Sequence, residues 1–311
     1  MWTTPTASVI ADQVILQSTL RENFPAVTAS TWRSVRDIVL DWGIIGLAVW
    51  ATYRIGLWAM PLSIIVIGNR QRALGNLLHE ASHQNLSPWR HINDVLAGIL
   101  LAAPLFNSLA FYRRQHAKHH AWLGDAVHDP DVIACTVADD DHWLNVYSHV
   151  LFAYPVWEGS LLGHLTGRRL AWRQWSAIVF WWILFEILIA IFLGIHMAWL
   201  SLVLWIVAKG TIFHAITVFR EMTDHYGLKP VGIFQYTREI PTHGLLSVLL
   251  HPHHNGYHLT HHLFPHIPYY RLPHVHAYLI QNSLFIQRAI ICHTYLNGTH
   301  AGVDGWGANH A

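Results

Sequence analysis

IVLDWGIIGLAVWATYRIGLWAMPLSIIVI, residues 38–67, decides the fold class, because only Asp41 and Arg54 in it carry a charge. A helix needs about 20 apolar residues to cross the hydrocarbon of a bilayer. With its flanks, this run is long enough for two. We read it as a hairpin of spanning helices over residues 36–53 and 56–75, its outer ends emerging from the bilayer. A second pair follows over residues 175–195 and 198–219, with Glu186 and Lys209 as the charges inside and Gly194 and His196 marking the turn. Between the pairs lies a shorter apolar stretch, residues 94–111, broken by Pro104, Asn107 and Ser108. Such a segment lies along the membrane surface or dips in and returns.

Composition agrees with a membrane protein. Of the 311 residues 53% are hydrophobic and 12% charged, against about 25% charged in soluble domains. That excludes a disordered chain, and a net charge of +1 without long basic runs argues against a nucleic-acid binder. Two cysteines, Cys135 and Cys292, are too few for a disulfide framework, a four-cysteine zinc site or an iron–sulfur cluster. Of the 19 Lys and Arg, only Arg54 and Lys209 fall within the apolar stretches. Arg36, Arg70 and Arg72 stand at the outer ends of the first hairpin, so the positive-inside rule puts that face and both termini in the cytoplasm. Residues 1–30 show no signal peptide. The expected fold is all-α and integral to the membrane, with four spanning helices in two hairpins under a cytoplasmic helical cap. Residues 1–35 read as a cytoplasmic N-terminal segment and 36–280 as the membrane domain. Residues 281–311 read as a C-terminal helix and a tail, flexible after Thr294.

Histidine is the anomaly: 26 residues, more than Lys and Arg together. Three clusters stand out, His79-Glu-Ala-Ser-His83, His116-Ala-Lys-His119-His120 and His258-Leu-Thr-His261-His262. Positions i, i+3 and i+4 share one face of a helix, so each cluster projects its imidazoles together, as a metal site requires. Isolated histidines such as His128, His142, His149, His164, His196 and His214 read as structural or interfacial. Eight clustered imidazoles exceed the four ligands of one zinc ion, and nitrogen-rich sites suit iron, zinc, copper or nickel. Two ions sharing the set, each with an open position, is the natural solution. If the clusters share one site they lie on one side of the bilayer, and residues 94–111 then do not cross it.

HxxxH followed by two HxxHH motifs resembles the three histidine boxes of the membrane fatty acid desaturase superfamily, which includes acyl hydroxylases and carotenoid ketolases. The resemblance covers about residues 36–280. It extends to Tyr112-Arg-Arg-Gln-His116, to Gly124-Asp125 and Asp129-Pro-Asp131, and to Asn255-Gly-Tyr-His258 with Leu263-Phe-Pro265. The family pattern implies a ninth ligand after the fourth span, where Asp224-His225-Tyr-Gly227 resembles its acidic-His-x-Gly element. The implied metal ligands are therefore His79, His83, His116, His119, His120, His225, His258, His261 and His262. Glu80, Asp129, Asp131 and Asn255 are candidates to orient them. His251, His253 and His254 stay open, and His276 falls beyond the boxes, where replacement should do little.

The resemblance implies two iron ions, dioxygen as co-substrate and insertion of a double bond into a fatty acyl chain, whether lipid-, CoA- or carrier-bound. An unactivated C–H bond needs such an oxidant, since side-chain acids and bases cannot attack it. No His-Pro-Gly-Gly segment of a fused cytochrome b5 occurs, so a separate ferredoxin or cytochrome b5 would supply electrons. Arg113, Arg114 and Lys118 offer a basic face for an anionic head group, or simply to solvent. Hydroxylation or ketolation of a lipid or carotenoid is the alternative within the superfamily. Outside it, His79-Glu80-Ala-Ser-His83 also satisfies HExxH of zinc metalloproteases, which leaves the other two clusters unexplained. A metal transporter or heme protein predicts histidines inside the spans, where only His214 is well placed.

Overall fold

The computed structural model describes residues 5–16, 28–133, 142–166 and 170–307; Cys135 and the last four residues of the tail fall outside them. The described residues are mostly helical, with one two-stranded parallel sheet. After α1 (Ala7–Ile15) come α2 (Thr31–Ile55) and α3 (Met60–Ser82), which form the first hairpin. α2 ends at Gly56, whose φ of 82° lies in the left-handed region that glycine enters without steric cost. Pro61 opens α3, where its missing N–H costs nothing. Next are α4 (Arg90–Ala97), α5 (Leu109–Ala121), α6 (Trp143–Leu151) and α7 (Tyr154–Leu162). The second hairpin joins α8 (Trp172–Leu193) to α9 (Ile195–Ala208) at Gly194, with φ 93°. α9 continues through a π-helical turn, Lys209–Phe213, into α10 (His214–His225).

Among the described residues three helices are long and apolar enough to cross a membrane: α2, α8 and the 31-residue helix Ile195–His225. α8 exposes Phe180, Ile183, Ile187, Ile191 and Phe192, an apolar surface suited to lipid. α3, which contains most of the expected second span, 56–75, is not among those three helices. α3 is one continuous helix, but only its first turns are apolar, and every residue from Ile67 to Ala81 except Arg70 is buried within the protein. Among these are Asn69, Gln71, Arg72 and Asn76. Arg72 is thus an interior residue and not a charge at the hairpin's outer end. α3 serves as the central post, and at Gly68 an added Cβ would sit 2.5 Å from Ile212 Cβ in the π turn.

The polar side chains of α3 explain its burial. Asn69 Nδ2 donates to the Leu249 carbonyl at 2.7 Å, and Asn76 Nδ2 to that of Pro252 at 2.7 Å. Asp41 of α2 accepts from Arg70 at 2.9 Å and from His253 at 2.7 Å. These bonds tie the segment carrying the third histidine cluster to the first hairpin. Residues 94–111 are interrupted as expected. α4 runs into a second π turn, Gly98–Ala102, breaks near Pro104, and restarts at α5 after Ser108, whose hydroxyl accepts from Phe111 N. Leu101, Leu105 and Phe106 from this break join the core.

The remaining elements form a helical cap: α11 (Gly232–Tyr236), α12 (Gly244–Leu250), α13 (His258–Leu263), α14 (Leu272–Leu279) and α15 (Ser283–Arg288). The N-terminal helix packs on these elements: Val9 and Leu16 share a buried cluster with Leu259, Leu263 and Phe264. Asp12 also accepts from the amide of Ile233 at 2.7 Å. The described part of the tail packs as well. Tyr295, Ala301, Val303 and Trp306 are buried against Val218, Phe219 and Met222 of α10. Strand β2 (Ile290–Ile291) pairs with β1 (Arg238–Glu239), and the buried Arg238 guanidinium donates to the carbonyls of Tyr226, at 2.9 Å, and Asp304. The glycine-rich tail sequence hid these contacts because its partners lie far away in the chain.

Candidate metal centre

The histidines converge from four helices. His79 lies in the last turn of α3 and His83 caps it, His116, His119 and His120 line α5, His225 ends α10, and His258, His261 and His262 lie on α13. Their ring nitrogens fall into two groups, each within 4.8 Å: His79, His83, His116, His120 and His261 in one, His119, His225, His258 and His262 in the other. All nine residues singled out from the sequence are thus brought together.

Helix geometry explains the division. At 3.6 residues per turn, position i+4 is rotated about 40° from i, while i+3 is rotated about 60° the other way. So His116 and His120 join one group while His119 faces the second, and His258 and His262 join the second while His261 faces the first.

The spacing fits metal ligands. His83 and His116 Nε2 are 2.8 Å apart, His116 and His120 3.0 Å, and His120 and His261 3.3 Å. In the second group His225–His258 and His258–His262 each stand at 3.0 Å. Two nitrogens at 90° to 109° around one ion, with bonds of about 2.1 Å, lie roughly 3.0 to 3.4 Å apart. Hydrogen bonding among the rings does not account for the set: both nitrogens of His79 are buried without a partner, as are Nδ1 of His120, His258 and His261. Orphaned buried nitrogens are costly, and a cation at the centre of the first group would remove part of that cost at His79.

Burial pushes the imidazoles of His116, His120, His258, His261 and His262 far below the ordinary histidine range, helped by their neighbours' charges, and His83 to about 3. They are therefore neutral and offer lone pairs. His119 differs: burial lowers it, but the hydrogen bond from its Nδ1 to Asp129 prevails and raises it. That bond is 2.9 Å to Oδ1 and 3.1 Å to Oδ2, and Gly124 N also donates to Oδ2 at 2.8 Å. His225 Nδ1 donates to the Tyr236 carbonyl at 2.7 Å. In both rings the tautomer is fixed with Nε2 free for the centre.

The other expected orienting residues separate. Asp131 is 3.8 Å from His119 Nδ1 and half-exposed, beyond hydrogen-bonding reach. Glu80 Oε1 stands 3.4 Å from His79 Nδ1 and 3.8 Å from His261 Nδ1, and its Oε2 accepts from Asn85 Nδ2 and Tyr269 N at 3.1 and 2.9 Å. Glu80 therefore sits behind the imidazoles, on their Nδ1 side, away from where a metalloprotease base would meet water. Asn255 touches no imidazole of the centre and accepts from Arg220 at 3.0 Å. His276 is a correction. It is buried, and its Nδ1 bonds Glu239 Oε1 at 2.8 Å, while Glu239 Oε2 accepts from Thr260 N at 2.9 Å, inside the third box. Of the open trio, His251 bonds Tyr295 OH at 2.9 Å and stands 3.5 Å from Asp224, whereas His253 ties Asp41. Arg113 clamps the end of α3, pairing with Asp94 at 2.5 Å and donating to the Ala81 carbonyl at 3.1 Å.

Sequence reasoning missed the pairing of Arg220 with Asp224, at 3.2 Å, and the buried Arg72 and Lys209. A lone charge within a spanning stretch is itself a pointer to function, and for Lys209 that signal was present.

Comparison with known proteins bears on this geometry directly. The family described as fatty acid desaturase matches residues 55–291. The chain belongs to the fatty acid desaturase family. Dihydrorhizobitoxine desaturase of Bradyrhizobium elkanii is 27% identical over 248 residues, covering 73% of this chain and 70% of that protein. Membership makes the chain a desaturase-like oxidoreductase and supports association with a membrane. The family match encloses all three boxes and His225, so the nine converging imidazoles lie within the family's shared region. The protease reading of His79-Glu80-Ala-Ser-His83 has no remaining support.

Proposed function

We propose that this chain is a dioxygen-dependent di-iron oxidoreductase that introduces a carbon–carbon double bond into an acyl-type substrate. The observation that carries the proposal is the division of nine imidazoles into a five and a four. His79, His83, His116, His120 and His261 would hold one ion, and His119, His225, His258 and His262 the other. When bound, the pair would supply the dioxygen-derived oxidant that an unactivated C–H bond demands. The protein's own work is to keep these rings neutral, fix the tautomers of His119 and His225, and bring a carbon chain beside them. Desaturation in place of hydroxylation is favoured by the Bradyrhizobium relative, which is named a desaturase. The two electrons would come from a separate ferredoxin or cytochrome b5. The centre and both termini would face the cytoplasm.

Two measurements test this. Iron per chain on detergent-purified protein should approach two and fall in His225→Ala. Mass spectrometry of products after expression should show loss of two hydrogens. One zinc per chain, retained in His225→Ala but lost in His79→Ala, would defeat the di-iron reading, and a product with added oxygen would defeat desaturation.

A further inference from the structure

A cavity of about 320 Å3 opens onto both imidazole groups, reaching His79 and His116 of the first and His119, His225 and His258 of the second. Its walls are unlike those of a hydrocarbon tunnel. Lys209 and Arg72 line it, and they are only 2% and 6% exposed. Among the described residues the Lys209 ammonium has no hydrogen-bond or ion-pair partner; it rests 4.2 Å from the ring centroid of Phe213 and 5.7 Å from that of Phe106. Arg72 bonds only neutral groups, Asn76 Oδ1 at 3.0 Å from Nε and Thr217 Oγ1 at 3.4 Å. The carboxylates on the lining, Asp131 and Glu221, are the exposed ones: their side chains are 49% and 41% accessible, and Glu221 stands 3.8 Å from Arg220.

An interior cation without a counter-charge is costly. Lys209 opens the π turn of the long helix, and such turns recur at functional sites. The apolar alternative exists elsewhere: a cavity of about 210 Å3 walled by Trp42, Val49, Trp182, Phe185 and Trp205 touches none of the nine histidines.

We propose that the substrate bears a free carboxylate that Lys209, with Arg72 beside it, holds while its carbon chain lies against the imidazoles. The inference rests on the di-iron reading and narrows its substrate to a molecule with a free carboxylate. A carboxylate would supply the counter-charge that Lys209 lacks and accept the hydrogen bonds that it leaves unused. Fixed at that end, the chain presents a defined C–C bond to the centre, the positioning on which the reaction depends.

The test is calorimetric binding to detergent-purified, iron-loaded protein with hexanoate and its neutral counterpart hexanamide, beside Lys209→Met and Lys209→Arg. Hexanoate should bind at least tenfold more tightly than hexanamide. The preference should vanish in Lys209→Met, which keeps the side-chain volume, and persist in Lys209→Arg. Equal binding of hexanoate and hexanamide by the native protein overturns the proposal. So does a preference that survives in Lys209→Met. Iron measured on the same samples separates the two readings. Two irons per chain without carboxylate preference defeats this inference alone, and carboxylate preference in protein that takes up no iron pair defeats the di-iron function.

Discussion

Replacing Asp129 by Asn is the sharpest probe of the centre. Oδ1 of Asp129 receives His119 Nδ1 and the amide of Asp131, each at 2.9 Å, and Oδ2 receives His119 Nδ1 at 3.1 Å and the amide of Gly124 at 2.8 Å. Every neighbour is a donor. An asparagine in that place must aim its NH2 at one of them, whichever way the amide turns. If His119 instead accepts from it, the ring proton moves to Nε2 and the ring is lost as a ligand. One buried donor left without its acceptor costs about 1–3 kcal/mol. Removing the carboxylate behind a metal-bound histidine costs about 10- to 100-fold in affinity, which is about 1.4–2.7 kcal/mol. The two routes agree. Chelator competition on the purified protein should show one ion weakened by 10- to 100-fold, the one that shares His225, His258 and His262. Asp131→Asn, remote and half-exposed, should change affinity less than about threefold. Equal losses in the two variants, or undiminished affinity in Asp129→Asn, would refute the reasoning.

Three further outcomes follow from the packing and the buried network. Gly68→Ala, which places a Cβ 2.5 Å from Ile212 Cβ, should destabilise the protein by about 1–3 kcal/mol, read as a lower thermal midpoint in detergent. Glu239→Gln should weaken iron binding by about tenfold, because Glu239 holds both Thr260 and His276; His276→Ala should follow with a smaller loss. Finally, burial depresses His83, His116, His120, His258, His261 and His262, so the unfolded chain binds more protons than the folded one. The stability of metal-free protein should be intact above the unfolded histidine pKa of about 6.5 and fall with pH below it, towards about 3 for His83, by about 1.4 kcal/mol per pH unit for each ring. A thermal midpoint unchanged between pH 7 and pH 5 would contradict that neutrality.

The centre was legible because most of its geometry is local. HxxxH and HxxHH write the helix period directly into the chain, so eight of nine imidazoles declare themselves, and His225 emerges through the family's acidic-His-x-Gly element. The supporting residues are not local. Glu239 reaches His276, 37 positions away, and His251 meets Tyr295 across 44, so neither link has a period to betray it. α3 misled for a related reason. Its apolar start extends the first hairpin by composition, while its polar half is buried against protein, and hydropathy alone does not distinguish lipid from protein as surroundings. Lys209 was visible as an isolated charge, but only the cavity shows that it faces the centre.

The way α5 and α13 each serve both groups has a mechanical consequence. A helix is a stiff bar, and His119 leaves α5 on one side of the His116–His120 pair, as His261 leaves α13 beside His258 and His262. Turning either bar to tighten its grip on one ion loosens its grip on the other, like a balance beam. The first ion to arrive therefore sets the angle at which both beams rest, and with it the opening offered to the second. If each group holds an ion, loading would become a joint event, and an ion of the wrong size in one seat would be felt in the other.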